Sequence, residues 1–131
     1  MSIQIRKVSS KKELKTFVRF ANRLYKGNKY YVPSMPMDDM NTFTPEKNGA
    51  FDFSEAELYL AYKGDEVVGR VAAIINHKAN EAWKVKQVRF GWIDFIDDLE
   101  VSKALLDAVV AFGKARGMEQ IVGPLGFTDF D

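Results

Sequence analysis

One apolar segment, residues 71–75 (Val-Ala-Ala-Ile-Ile), limits the folds open to this chain of 131 residues. In a strand, consecutive side chains point to opposite faces, so this segment presents apolar side chains on both faces. Strands of this kind lie inside a sheet whose two faces are both covered. The sequence therefore predicts a central strand in a layered domain.

Other segments predict further strands. Val67 begins an apolar run after the Gly64-Asp65 turn, and the apolar run before that turn completes a hairpin. An aromatic run, QVRFGWIDFI, predicts a third long strand. The predicted strands cover residues 3–8, 57–63, 67–76, 87–96 and 120–122.

Two amphipathic helices are predicted. Ser10 and Glu13 have the spacing of a capping box, and Gly27 ends the helix that follows. Asp97 and Glu100 have the same spacing before a second helix, which ends at Gly117. The apolar stripe of the first helix comprises Leu14, Phe17, Val18, Ala21, Leu24 and Tyr25.

Two connections are less regular. Residues 29–56 contain a possible short helix that starts near Pro36, and Phe51 and Phe53 are expected to pin this stretch to the core. Residues 77–86 are expected to form a polar connection with Trp83 as its anchor.

Composition excludes several classes of protein. Apolar residues make up 47% of the chain, which excludes intrinsic disorder. The absence of cysteine excludes a disulfide scaffold, a thiol nucleophile and a Cys-ligated zinc site, and a single histidine excludes a His-rich metal site. We therefore expect no metal. No signal peptide or membrane-spanning segment is visible, which predicts a cytoplasmic protein without a membrane partner.

Charge is distributed unevenly along the chain. Residues 1–30 contain nine Lys or Arg side chains and one acid, whereas residues 31–131 contain ten basic and seventeen acidic side chains. This pattern is consistent with an anion-binding face, and equally with a basic helix docked against an acidic body.

The order of elements resembles the first two-thirds of the GNAT superfamily of acyl-CoA N-acyltransferases. The resemblance rests on the basic helix after the first strand, the hairpin LAYKGDEVVGRVAAI, the aromatic strand that leads into a helix with Leu105-Leu106, and the closing IVGPLGF. RFGWIDFIDD and GPLGFTDFD also look like stretches of longer bacterial GNAT-like proteins. The resemblance implies a mixed α/β fold of order β-α-(α)-β-β-β-α-β. Residues 1–131 would form a single domain, the N-terminal fragment of a longer protein.

The resemblance also implies a site for acetyl-CoA or another acyl-CoA. GNAT enzymes hold the pyrophosphate on backbone N–H groups at a Gln/Arg-x-x-Gly-x-Gly/Ala motif, at the start of a helix. Aligning Leu105-Leu106 places Asp97, Glu100 and Ser102 at its three defined positions, and only Ser102 matches. We therefore expect the carboxylates to occupy these N–H groups and to repel a pyrophosphate.

Three further residues complete the implied cofactor site. The family separates its fourth and fifth strands, and the pantetheine arm binds in the gap. Phe95 and Ile96 would border that gap through their backbone groups. Lys103, one turn into the helix, would offset part of the acidic charge or lie in solvent.

Asp94 is the candidate catalytic base. If its side chain faces inward with Phe90 and Trp92, it is placed to accept the proton of an amine. The alternative is an ion pair with Arg89 or Arg70.

Three functions stay open from the sequence. The first is acyl-CoA-dependent N-acyl transfer to a small-molecule amine. The second is a non-catalytic GNAT-like domain that forms homo-oligomers, such as a dimer, or binds other proteins through an exposed sheet edge. The third is nucleic-acid binding by the basic face of the first helix, which the absence of a recognised motif and the acidic remainder of the chain disfavour. That face comprises Lys12, Lys15, Arg19, Arg23 and Lys26.

Overall fold

A five-stranded mixed sheet forms the centre of the computed structural model, which describes residues 2–33 and 35–127. The strands lie in chain order, the first three pairings are antiparallel, and the last pairing is parallel. The predicted α/β class and element order are confirmed; residues 128–131 of the GPLGFTDFD stretch lie outside the described part. The strands are β1 (Ile3–Lys7), β2 (Ser54–Lys63), β3 (Glu66–Asn76), β4 (Gln87–Phe95) and β5 (Gln120–Val122).

Helices cover both faces of the sheet. The helices are α1 (Lys11–Leu24), α2 (Pro36–Thr42), α3 (His77–Trp83) and α4 (Leu99–Ala115). The apolar side chains of α1 pack on one face and those of α4 on the other, so we call these the α1 face and the α4 face. Two short 3₁₀ turns, Pro45–Lys47 and Gly49–Asp52, connect α2 to β2.

Strand β3 is the central strand that the sequence predicts. Ile74 packs in the core of the α1 face and Ile75 in the core of the α4 face, and both side chains are fully buried. Burial of one such side chain stabilises the fold by about 1.5–3 kcal/mol. The two cores are therefore built on one strand.

Helix α1 begins at the predicted cap. The Ser10 hydroxyl oxygen accepts a hydrogen bond from the Glu13 N–H at 3.1 Å. The Glu13 carboxylate accepts from the Ser9 N–H at 3.0 Å, one residue earlier than in a standard capping box. This bond, with those from the Ser9 and Ser10 hydroxyls, lowers the pKa of Glu13.

Two local predictions are wrong. Residues 77–83 form helix α3 because the Asn76 side chain caps it by accepting from the Ala79 N–H at 2.9 Å, and Trp83 is 74% exposed rather than an anchor. Helix α4 is capped by Asp98 and not by Asp97. The Ile96 N–H donates to the Val68 carbonyl at 3.0 Å, so the contact with the sheet ends at Ile96 as predicted, and Asp97 lies between the sheet and the cap.

A cluster of charged side chains fastens the end of α4 to the sheet. The Glu57 carboxylate accepts hydrogen bonds from the Tyr59 hydroxyl and from Arg116 Nη2 at 3.2 Å, and it lies 3.1 Å from Lys7 Nζ. Arg116 Nε lies 3.2 Å from Glu55. Burial raises the pKa of Glu57, but the hydrogen bonds from Tyr59 and Lys7 and the charges of Lys7 and Arg116 lower it more.

We expect Glu57→Gln to destabilise the fold by about 1–2 kcal/mol at neutral pH, because a hydrogen bond to a charged group is worth roughly that much. The folded pKa of Glu57 is depressed, so its stabilisation is present above the unfolded carboxyl pKa of about 4.3 and is lost as the pH falls through the folded pKa. Urea unfolding at pH 7 and at about pH 3 should therefore show a difference between variant and parent that shrinks in acid. Glu46→Gln, at an exposed position, is the control, and an equal loss for Glu57→Gln at both pH values would contradict the assignment.

Candidate functional site

Strands β4 and β5 pair over three residues and then separate. The pairing runs from Gln87 with Gln120 to Arg89 with Val122, and the Leu125 N–H then donates to the Phe90 carbonyl at 2.9 Å. Beyond that point the chain crosses to the α1 face. Among the described residues, β4 has no β5 partner after this crossing. Its other edge pairs with β3, and we call the edge without a described partner the open edge of β4.

Two glycines allow the backbones to approach closely just before the strands separate. A Cβ atom on Gly123 would lie 2.5 Å from the Phe90 carbonyl oxygen, and one on Gly91 would overlap the Leu125 carbonyl oxygen. Both obstacles are backbone atoms, which cannot rotate away as a side chain can. The absence of side chains at these two positions therefore sets where the gap begins.

Trp92 forms a bulge at the start of the open edge. Its φ of 45° lies in the left-handed region, which bulky residues rarely adopt. Arg70 pairs with Asp94 while Ala72 pairs with Gly91, so β4 contains one residue more than β3 between these pairs. Nothing in the sequence signals this bulge, because the position that needs the left-handed conformation is not glycine.

The bulge corrects one expectation about Asp94. Phe90 packs against the core of the α4 face, whereas Trp92 packs against the core of the α1 face. Asp94 contacts Tyr25 of the α1 face, so it shares a face with Trp92 and not with Phe90.

Asp94 forms an ion pair, as the alternative interpretation expected. Arg70 donates from Nε and Nη2 to Asp94 Oδ2, each at 2.9 Å, and the Tyr25 hydroxyl donates to Oδ1 at 3.1 Å. Arg70 is only 6% exposed, and its Nη1 donates to the Phe17 carbonyl at 2.8 Å. Burial, together with the charge of Asp94, raises the pKa of Tyr25. A role for Asp94 as a base stays a prediction.

The four predicted cofactor residues lie at the junction of β4 and α4. Phe95 pairs with Gly69 of β3, and the Ile96 carbonyl accepts from the Asp98 N–H at 2.7 Å. The Ser102 hydroxyl donates to the Leu99 carbonyl at 3.1 Å. Phe95 and Ile96 therefore lie at the end of β4 and just after it, Ser102 lies at the start of α4, and their role in cofactor binding stays a prediction.

The side chain of Lys103 extends along α4 toward Asp107, one turn further on. Its Nζ lies 2.7 Å from Asp107, and this hydrogen bond raises the pKa of Lys103. The pair lies one turn further along α4 than the acidic residues at the helix start. Lys103 therefore contributes its charge to Asp107 and not directly to the first turn.

The start of α4 does not fit a pyrophosphate. Asp98 accepts from the Glu100 N–H at 2.9 Å, its carbonyl accepts from the Val101 N–H at 3.1 Å, and its carboxylate lies 3.5 Å from Lys63 Nζ. The helix start is thus capped by its own carboxylate, and Asp97 and Glu100 add exposed negative charge. The open edge of β4, in contrast, fits an amide-containing arm, because such contacts need only backbone groups.

A cavity of about 550 Å³ lies beside the bulge on the α1 face. Trp92 and Phe127 form its aromatic wall, and Phe127 is buried against Trp92, Phe43 and Phe51. Sequence reasoning missed this cavity; polar residues on the short α2 helix were the available signal. Its other lining residues are Asp38, Asn41, Thr42, Lys47, Asn48 and Ala50.

Solved structures share this architecture. A tandem GNAT protein from the clavulanic acid biosynthesis pathway matches 89% of this chain and 34% of its own length, with a TM-score of 0.67 and 10% identity. AAC(6')-Iy, in complex with the bisubstrate analogue CoA-S-monomethyl-acetylneamine, matches 96% of this chain and 81% of its own, with a TM-score of 0.66 and 16% identity. The chain has the GNAT fold. The resemblance drawn from the sequence is confirmed at the level of the GNAT fold.

Two curated proteins are similar in sequence. Protein YghO of Escherichia coli is 32% identical over 120 residues, and a bacterial ceramide synthase of Caulobacter vibrioides is 30% identical over 122 residues. Each match covers 92% of this chain but only 30% and 32% of the relative, so the chain spans about a third of their length. No protein-family model matches the chain. Within the described residues, no helix is both long and apolar enough to cross a bilayer.

Gly91→Ala tests the close approach of the strands. The added methyl group would meet a backbone carbonyl oxygen, so we expect a loss of about 1–3 kcal/mol in unfolding free energy. Gly49→Ala is the matched control, because no atom lies within 4 Å of its added Cβ, and it should change stability by less than about 0.5 kcal/mol. Urea unfolding of both variants measures the difference, and equal stabilities would contradict the tight crossing.

Asp94→Asn tests the buried ion pair. Removing one partner leaves the Arg70 charge buried, which costs about 3–5 kcal/mol in fully buried pairs. Because the Asp94 side chain is 18% exposed, we expect a loss of about 2–4 kcal/mol by urea unfolding. The double variant Arg70→Met/Asp94→Leu removes both charges and should lose less than Asp94→Asn alone. A double variant that is less stable than the single one would argue against this account.

Proposed function

We propose that the chain is the N-terminal part of an acyltransferase that moves an acyl group from acyl-CoA to the nitrogen of a small-molecule amine. The observation that supports this most directly is the open edge of β4 beside the Trp92 bulge, in a chain with the GNAT fold. When bound, the coenzyme supplies a thioester whose carbonyl carbon an amine can attack.

The donor side of the proposed site uses backbone groups. The edge of β4 near Phe95, which lacks a β5 partner among the described residues, would bind the amide groups of the pantetheine arm. Phe95 and Ile96 pack their side chains on the α4-face core, so this edge is held rigidly. Ser102, on the first turns of α4, would leave room for the arm because its side chain is small.

The acceptor side is the cavity beside Trp92. It lies on the α1 face, so donor and acceptor would meet across the bulge of β4. The Asp38 carboxylate in its lining would attract a protonated amine. Asp94 stays the candidate for accepting the proton that the amine must lose, and its pairing with Arg70 would then have to change.

The names of similar proteins support amide formation. AAC(6')-Iy binds a bisubstrate analogue that joins CoA to acetylneamine, and one relative is named for ceramide, a lipid whose acyl group is held by an amide bond. We therefore specify the acceptor only as a small-molecule amine and the transferred group only as an acyl group.

The acidic start of α4 makes the proposed donor site unusual. Asp97, Asp98 and Glu100 would repel the pyrophosphate that GNAT enzymes hold there. The donor would therefore be held mainly along β4, and its pyrophosphate would add little to affinity.

A second candidate function is favoured by the same residues. Asp98 already caps α4 and lies 3.5 Å from Lys63, which is consistent with a helix start that binds no anion. In that case the open edge of β4 would pair with a second copy of the chain or with another protein. Sedimentation at increasing protein concentration tests this, and a chain that stays monomeric and captures no partner would count against it.

Calorimetric titration with acetyl-CoA and with S-acetylpantetheine tests the proposed donor site. If β4 provides most of the affinity, both ligands should bind the parent chain with dissociation constants that differ by less than about threefold. Asp97→Asn/Asp98→Asn/Glu100→Gln keeps a capping side chain and removes three charges. Each charge is worth about 0.3–1 kcal/mol, so acetyl-CoA should bind at least about fivefold more tightly to this variant while S-acetylpantetheine is unaffected.

Glu81→Gln/Glu119→Gln is the control variant for this titration. Both residues are exposed and neither lies at the start of α4, so the affinity for acetyl-CoA should stay unchanged. If neither ligand binds the parent chain or the triple variant, the acyl-CoA donor is wrong and the interaction domain becomes the working model.

A further inference from the structure

An open groove of about 1030 Å³ lies on the α1 face. It lies between the first half of α1, helix α2 and the adjoining ends of β1 and β2. Asn41 and Lys47 separate it from the smaller cavity beside Trp92, since they line both. None of the predicted donor or catalytic residues lines this groove, so the acyltransferase proposal leaves it without a role.

The floor of the groove is apolar. Partly buried side chains from five parts of the fold supply it, and they pack against the core of the α1 face. Pockets with a mainly apolar lining and a few polar groups at the rim are the usual form of a small-molecule site. The floor includes Val8, Leu14, Met40, Phe51 and Ala56.

The rim of the groove is basic. Lys11, Lys15, Arg19 and Lys47 line it with exposed side chains, and none of them forms a salt bridge in the part of the chain that the structure describes. Glu57 supplies the negative charge of the lining, and it is already bound to Lys7 and Arg116. The groove therefore combines an apolar floor with uncompensated positive charge.

This combination selects one class of ligand. A cationic amphiphile would be repelled by the rim, and a neutral hydrocarbon would leave the four charges unused. A nucleic acid would satisfy the charges, but its bases stack on exposed aromatic rings, and the two rings that line the groove, Phe43 and Phe51, pack against Phe127 in the core. The ligand that matches both features has a hydrocarbon chain and an anionic head.

We propose that this groove binds a single-chain anionic amphiphile, with its hydrocarbon chain along the floor and its phosphate or carboxylate among Lys11, Lys15, Arg19 and Lys47. One exposed apolar side chain fits a lipid source: Met37 lines the groove and is 75% exposed. The ligand is either a free amphiphile or a lipid drawn from a bilayer, and the two sources share the same chemistry.

Calorimetric titration of the chain with octyl, decyl and dodecyl phosphate, each below its micelle-forming concentration, tests the floor. Complete burial of a methylene group strengthens binding about fourfold, so a partly open groove should give at least about a twofold gain per added methylene. Inorganic phosphate and dodecyltrimethylammonium are the matched ligands, one without the chain and one with the opposite charge, and both should bind at least about tenfold more weakly than dodecyl phosphate. Equal affinity for either ligand, or no dependence on chain length, would overturn the proposal.

Charge reversal tests the rim. Lys15→Glu/Arg19→Glu should weaken the binding of dodecyl phosphate by at least about tenfold, because two attractions become repulsions. Lys12→Glu/Lys26→Glu makes the same change in net charge on exposed residues that do not line the groove, and it should weaken binding by less than about threefold. Circular dichroism confirms that both variants fold. An equal loss in the two variants would assign binding to the general charge of α1 and would overturn the site.

Vesicles distinguish the two sources. Phosphatidylcholine vesicles with one-fifth phosphatidylglycerol should sediment with the parent chain, but not with Lys15→Glu/Arg19→Glu, if the ligand comes from a bilayer. Binding of dodecyl phosphate without vesicle binding supports the groove and assigns it to a free amphiphile. Displacement of dodecyl phosphate by a single-stranded RNA at low salt, with no dependence on alkyl chain length, would instead point to nucleic acid and would overturn the proposal.

Discussion

The buried charge of Arg70 organises the part of the fold that contains the candidate site. An unpaired guanidinium in the core is strongly unfavourable, so its partners must be held in place. Those partners come from two other elements: Asp94 after the β4 bulge, and the carbonyl of Phe17 in α1. One side chain of the central strand therefore contacts both the end of β4 and helix α1, and it helps to fix the register of the first and the position of the second on the sheet.

The Trp92 bulge depends on contacts on both sides of it. On one side Gly91 admits the Leu125 carbonyl, and on the other Asp94 is tied to Arg70. A positive φ is unfavourable for a bulky residue such as Trp92. Such a backbone conformation is kept where the surrounding contacts hold the chain in it. The same bulge turns Trp92 toward the cavity on the α1 face while the adjoining edge of β4 stays open, so the fold places a cavity and an open strand edge at one point.

The sequence predicts what depends on local pattern and misses what depends on register. The β2–β3 hairpin, the cap of α1 at Ser10 and the central position of β3 follow from spacing that a short window contains. The partner of Asp94 does not, because an unpredicted extra residue in β4 decides which residue of β3 lies opposite it, and that residue is Arg70. The cap of α4 is Asp98 and not the predicted Asp97, because the Asp98 side chain accepts from the Glu100 N–H, and the spacing of Asp97 and Glu100 does not reveal this.

The basic side chains of the first thirty residues lie in two different environments. Lys7 pairs with Glu57 and Arg23 donates to the Val67 carbonyl at 2.7 Å, as expected for a basic element docked on the body of the protein. Lys15 and Arg19 instead border the groove without salt bridges among the described residues, as expected for an anion-binding face. The acidic start of α4 lies on the opposite face of the sheet. The positive rim of the groove and the negative first turn of α4 are therefore separated by the sheet, so an anion would be attracted at one face and repelled at the other.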